Sequence, residues 1–380
     1  MGALPSDGIS VFAYARLLKE LGNNDIIPKI FDVFQFLAEV DSPVLDRLGG
    51  DFVQVHRMRY RFGISEKKWK SSRLPCGLLC QFPYEYAPKE DAHGALTIYM
   101  DGEPCARMPV DGLYFDQISH PLSGVSNPSG LHCIHPADYM TDEEIDYIVR
   151  RVEMLFRSTD KGIVLIFGGS IFDQAQRDFG SEDFYYNLAA EPELMHTHFN
   201  SITDANITNL KRILDRCGDK VDVVHFFDDI GSQKTLLISL GMYREMIKPY
   251  HRKQCRFIKD AYPGVKVLMH CCGAIFDLIP DFIDIGIDIL NPVQISAAGM
   301  DPQALKDEYG DKMLFWGGGV DTQGLAKMQD IEELRAHVDA LCRVFSCGGG
   351  YVFSPVHNLQ AGVTPEQILT IFDTAAKYRS

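Results

Sequence analysis

The stretch VKVLMHCCGAIFDLIPDFIDIGIDILNPVQ (residues 265–294) starts as an apolar run and turns abruptly at His270–Cys271–Cys272–Gly273. After a helical pattern it reaches a second apolar run, IDILNPVQ (287–294). A short apolar run closed by glycine or polar residues predicts a buried strand. Two such strands joined by a helix predict a parallel pair, because a tight turn cannot bring parallel strands together.

The same pattern continues outward in both directions. Upstream lie DFVQVHRM (51–58), GIVLIFGGS (162–170) and VDVVHFFDD (221–229), and downstream KMLFWGGGVD (312–321) and GYVFSPVHN (350–358). Amphipathic segments at 192–217 and 331–345 read as helices between them. Strands that are apolar along their whole length predict a parallel sheet covered on both faces. Seven strands are visible, and a closed barrel needs eight. The residues at 2–5 are the candidate for the eighth, and an open doubly wound sheet is the alternative. No strand is followed by GxGxxG or a Walker loop, so a nucleotide site is not expected.

The alternation breaks over 59–161. ALTIYMDGEPCARMP (95–109) predicts a hairpin turning at Asp101–Gly102. Residues 120–136 read as loop, and 141–156 as a helix capped by Thr141. This region is expected as an excursion within one domain spanning 1–380.

Composition narrows the classes. A formal net charge of −15 argues against a nucleic-acid partner. No run of about 18 apolar residues occurs, so no membrane span is expected. The start, MGALPSDGIS, lacks the basic and apolar regions of a signal peptide. Ten cysteines in a chain of this length fit a reducing, cytoplasmic setting better than a disulfide framework.

Active-site groups of a parallel barrel gather at the C-terminal ends of its strands. His270 and Cys272 are two apart and point to one side, while Cys271 points to the other. They form a candidate metal pair, and a catalytic zinc needs about three protein ligands and an open position. His357 follows the last strand and is expected at the same end. Cys347 precedes that strand, is expected at the opposite end, and stays as the alternative third ligand. Asp228 and Asp229 follow VVHFF as candidate catalytic carboxylates, able to orient a ligand or accept a substrate proton. Asn291, Gln294 and Asp321 close other strands and are candidate substrate contacts. Asp321, before Thr322, also fits a helix N-cap.

Together these segments resemble the uroporphyrinogen decarboxylase superfamily, and within it the cobamide-dependent methyltransferase branch. The resemblance rests on FDVFQFLAEVDSPVLDRLGGDFVQV, VHFFDDIGSQ, VLMHCCGAIFDLIPDFIDIGIDILNPVQ, FWGGGVDTQ and GGGYVFSPVHNLQAGVTPEQI. It implies an α/β fold, a (β/α)8 TIM barrel with an N-terminal helical extension and the inserted hairpin region. In the coenzyme M methyltransferases of that branch the third zinc ligand is a cysteine, where this chain has His357. The decarboxylases carry an arginine-rich motif of the MRQAGR kind, which this chain lacks.

The resemblance further implies a zinc-dependent methyltransferase working with a separate corrinoid protein. It would move a methyl group between a small methylated substrate and cobalt. A methoxylated aromatic, as in O-demethylase systems, is the favoured substrate, and Phe227 with its aromatic neighbours Phe226, Phe315, Trp316 and Tyr351 suits it. The alternatives are a metal-free uroporphyrinogen decarboxylase-like enzyme and a non-catalytic accessory barrel. A homodimer is compatible with the sequence and not required by it.

Overall fold

A computed structural model describes residues 1–59, 61–74, 76–133 and 139–379. Seven strands hydrogen-bond side by side: β1 (Phe52–Val55), β2 (Gly162–Gly168), β3 (Val223–Phe227), β4 (Lys266–His270), β5 (Ile289–Asn291), β6 (Leu314–Trp316) and β7 (Tyr351–Val352). Their order in space equals their order in sequence. A doubly wound sheet reverses direction at a switch point, so this succession fits the barrel-like reading instead. From β2 to β6 each strand pairs parallel with the next.

The eighth strand is a correction. Among the described residues the sheet holds seven strands, and Gly2–Pro5 forms bends and a turn. The backbone N–H of Leu4 donates to Asp7 Oδ1 at 2.8 Å, and that of Gly2 to the Asp7 carbonyl at 3.0 Å. Gly2 has φ +81° and Pro5 has no N–H to give a ladder, so the segment curls on itself.

The chain packs as two compact units, one of Met1–Gln54, Met58–Ser119 and Trp316–Ser380, the other of Val55–Arg57 and His120–Phe315. The excursion expected over 59–161 is thus divided at Ser119. In the first unit the N-terminal extension is only partly helical. Helix Val11–Glu20 is followed by an antiparallel pair, Ile30–Asp32 with Leu37–Ala38, and by the short helix Ser42–Arg47. The expected hairpin is present, Leu96–Met100 with Glu103–Met108, within a four-stranded antiparallel sheet. Asp101 (φ +52°) and Gly102 (φ +91°) both turn left-handed, as a tight two-residue turn requires. Helices Ile331–Ser346 and Pro365–Ala375 pack on one another in the same unit.

The second unit carries β2–β5. Residues 163–167 and 223–226 of β2 and β3 are buried throughout, as expected for strands covered on both faces. The 26-residue helix Pro192–Cys217 and helix Asp142–Ser158 lie against one another. Thr141 caps the latter, its hydroxyl accepting from the Glu144 N–H at 3.2 Å. Of the loop expected over 120–136, residues 134–136 lie outside the described residues. Among the described residues no helix is long and apolar enough to cross a membrane.

The parallel register sets up the site. Phe227 of β3 lies opposite His270 of β4, and His270 lies opposite Asn291 of β5. One cross-sheet row at the C-terminal strand ends therefore holds an aromatic ring, an imidazole and an amide.

Candidate metal centre

His270 is buried and fixed from two sides. Its ring stacks on Phe227 with centroids 5.1 Å apart and 14° between the planes. Its Nδ1 lies 2.5 Å from Asn291 Oδ1. An amide oxygen only accepts, so Nδ1 donates to it, and in the neutral ring Nε2 is the acceptor nitrogen. That Nε2 lies 3.3 Å from Cys272 Sγ. Two soft or borderline donors thus converge, with the imidazole tautomer set by the partner behind it.

Cys271 and Cys272 diverge as strand alternation predicts. Cys271 is buried, and its sulfur accepts from the Ile230 N–H at 3.4 Å. The Cys272 N–H donates to Asp229 Oδ1 at 2.6 Å. Burial, then the Asp229 carboxylate, pushes the Cys272 thiol well above its usual range. A bound cation would favour the thiolate that burial disfavours. The loop's path is enforced by backbone crossing: a Cβ on Gly273 (φ +98°) would come within 2.6 Å of the Gly231 carbonyl carbon and the Ser232 oxygen.

The two aspartates differ in their surroundings. Asp228 is fully buried, and its oxygens accept from the Ile171 N–H (2.8 Å), the Asp173 N–H (2.7 Å) and His251 Nε2 (2.6 Å). His251 Nδ1 in turn lies 3.2 Å from the Tyr243 hydroxyl. This carboxylate fastens the start of helix Phe172–Phe179 to the end of β3. Asp229 is one-third exposed and lies 3.7 Å from His270 Nε2, on the side of the donor pair. A third carboxyl, Asp173, accepts from the Asp229 N–H at 2.9 Å. Burial first, then Asp228 and Asp229, raises it well above the ordinary carboxyl range. Sequence reasoning missed Asp173, because a lone aspartate opening a helix carries no chemical signal.

Gln294 and Asp321 bond within their own surroundings. Gln294 Oε1 accepts from the Gly273 N–H at 2.9 Å, and its Nε2 donates to Gln233 Oε1 at 2.8 Å. Asp321 accepts from the Gln323 N–H at 3.1 Å, closing a local turn instead of capping a helix. Cys347 is exposed at the end of helix Ile331–Ser346, before β7. His225, one pleat deeper on β3, was not singled out by the sequence. It is buried, with neither ring nitrogen hydrogen-bonded among the described residues, and burial lowers its pKa to about 3.

Among the described residues, one group of His, Cys, Asp and Glu side chains could hold a metal ion: His270, Cys272 and His357. Their ligand atoms lie within 4.8 Å of one another. Two imidazoles and a thiol suit zinc, which takes nitrogen and sulfur donors and keeps an open position where it is catalytic.

Comparison with known proteins gives the ancestry. Over 236 residues the chain is 22% identical to a uroporphyrinogen decarboxylase of Chlorobium limicola, covering 60% of this chain. It spans 63% of that curated relative's length. A solved structure, a methyltransferase from Methanosarcina mazei, superposes with a TM-score of 0.53 at 13% identity, over 70% of this chain and 73% of that one. At that identity the likeness speaks for the fold. The uroporphyrinogen decarboxylase (URO-D) family model matches residues 117–378, the stretch that carries β2–β7 and the residues His270, Cys272 and His357, and the chain belongs to that family.

Proposed function

We propose that this chain is a zinc-dependent methyltransferase. It would move a methyl group between a small methylated substrate and the cobalt of a corrinoid protein. The observation that carries the reading is the 3.3 Å approach of Cys272 Sγ to His270 Nε2, the ring nitrogen opposite the one held by Asn291. The fold likeness to a protein described as a methyltransferase points the same way.

In this reading His270, Cys272 and His357 hold zinc. When bound, zinc supplies a Lewis acid for the heteroatom bearing the methyl, or lowers the pKa of an acceptor thiol. The chain's own residues do the rest. Asn291 keeps the proton on His270 Nδ1, and Asp229 holds the Cys272 backbone in place. Asp228 acts one layer behind, fixing the loop that presents Asp173. Phe227 backs the imidazole and offers an aromatic edge to a substrate ring. A methoxylated aromatic is the proposed donor, with the corrinoid protein approaching the strand ends that carry Cys272.

The test is methyl transfer to cob(I)alamin from a panel of methoxylated aromatics, followed by the cobalt absorption change. Transfer that requires zinc supports the reading. Zinc-loaded protein that transfers no methyl from any donor class would sink it. The family relationship supports a second reading, metal-free decarboxylation of a porphyrinogen. Its signature is carbon dioxide release from uroporphyrinogen that persists with a chelator present. Neither activity would leave the accessory barrel.

A further inference from the structure

We infer that Gln294, braced by Gln233, is a positioning residue that sets where the Cys272 thiol sits. This rests on the zinc reading above and adds to it a specific support. Gln294 follows β5, and its side chain is largely buried. Its oxygen accepts from the N–H of Gly273, the residue directly after Cys272, at 2.9 Å. Its amide nitrogen donates to Gln233 Oε1 at 2.8 Å. Gln233 then donates from Nε2 to the Ser296 carbonyl at 2.6 Å and accepts at its backbone carbonyl from the Ala298 N–H at 3.0 Å. The Ala274 N–H donates to the Ser232 carbonyl at 2.8 Å. The loops after β3, β4 and β5 are thereby tied into one circuit, in which Gln294 reaches the cysteine loop at Gly273 as Asp229 reaches it at Cys272.

The chemistry of an amide makes the assignment specific. Gly273 offers a donor and Gln233 Oε1 an acceptor, so the bridging side chain must accept at one end and donate at the other. Glutamine does both. Glutamate keeps the first bond and loses the second, and leucine loses both while keeping the volume. Gly273 has φ +98° and is hemmed in by the Gly231 and Ser232 backbone. With its N–H released, the loop keeps the Cys272 N–H bond to Asp229 and the Ala274 N–H bond to Ser232 and loses the one between them.

The experiment uses the full chain, with cobalt(II) as the metal probe and iodoacetamide as a probe of the metal-free protein. Gln294→Leu, Gln294→Glu and Gln233→Leu are compared with the parent, and thermal unfolding confirms that each folds. In the parent, cobalt(II) should give a thiolate-to-metal charge-transfer band; its absence would defeat the zinc reading by itself. Gln294→Leu should lower cobalt affinity by about 10–100-fold, the usual scale for a residue supporting a ligand. Without metal, it should also change the Cys272 alkylation rate, read by mass spectrometry at that residue. Gln294→Glu should fall between, and Gln233→Leu should move both readouts in the same direction. If Gln294→Leu and Gln294→Glu keep the parent's cobalt affinity and Cys272 alkylation rate, the inference is overturned. A change in melting temperature alone would count against it too.

Discussion

Asn291 Oδ1 and His270 Nδ1 meet at 2.5 Å across adjacent parallel strands, in one register row. The tautomer of His270 is therefore a property of the sheet, set before any ligand arrives. Replacing Asn291 by leucine should free the ring and let Nε2 carry the proton. Metal affinity should fall by about 10–100-fold, while Asn291→Asp should retain most of it. Competition with a chromogenic chelator reads both variants, and equal losses in the two would refute the tautomer argument.

The two adjacent cysteines should behave as opposites. Cys272→Ala should abolish zinc binding and methyl transfer with little change in stability. Cys271→Ala should keep the metal and lower stability by about 1–2 kcal/mol, since it empties a buried site and leaves the Ile230 N–H without its acceptor. Zinc content by atomic absorption and denaturant unfolding separate the two. A Cys271→Ala protein without metal would show that the sides are reversed.

Asp228 should matter to folding more than to chemistry. Asp228→Ala strands two backbone N–H groups and the His251 imidazole in a buried place. A loss of about 3 kcal/mol or more is expected in urea unfolding. A variant of unchanged stability but no turnover would return Asp228 to a direct catalytic role.

Asp173 gives the pH prediction, made for the metal-free protein. Its folded pKa is raised, so the folded state holds the proton more tightly than the unfolded state. Below the ordinary value of 3.8 both states are protonated and the residue costs nothing. As pH rises past that value the unfolded chain ionises first, and stability is lost until the folded value is reached. Asp173→Asn keeps an acceptor for the Asp229 N–H and removes the titration. The variant should gain on the parent as pH rises toward neutrality, and the gap should close near pH 4. Unfolding curves across that range that stay parallel would contradict the assignment.

Much of this was legible in the sequence because the strands are apolar along their whole length. All seven runs read as strands lie in the one sheet. His270 and Cys272 were legible for a related reason, since a period of two is a geometric fact of extended chain. The same period, applied one strand earlier, separates Asp228 from Asp229, but adjacency made them look like a pair. Gln294 was legible as a polar residue at a strand end, but its bonds to Gly273 and Gln233 were not, since such a residue gives no sign of which loop it will reach. Gly2–Pro5 is too short to show periodicity, and its turn depends on Asp7, a side-chain bond that no local pattern announces.

The crossing of Gly231 and Gly273 also bears on how such a protein can diversify. Every substitution at either position adds at least a Cβ, and the neighbouring backbone already occupies that space. Neither glycine can be exchanged without moving the other loop, so the cysteine segment has no gradual route to a new shape. Divergence in what the molecule accepts has to proceed around this fixed point, through segments such as Lys234–Leu240, where Lys234, Thr235, Leu237 and Ser239 are exposed. Relatives with different substrates should then share the crossing and differ at its periphery.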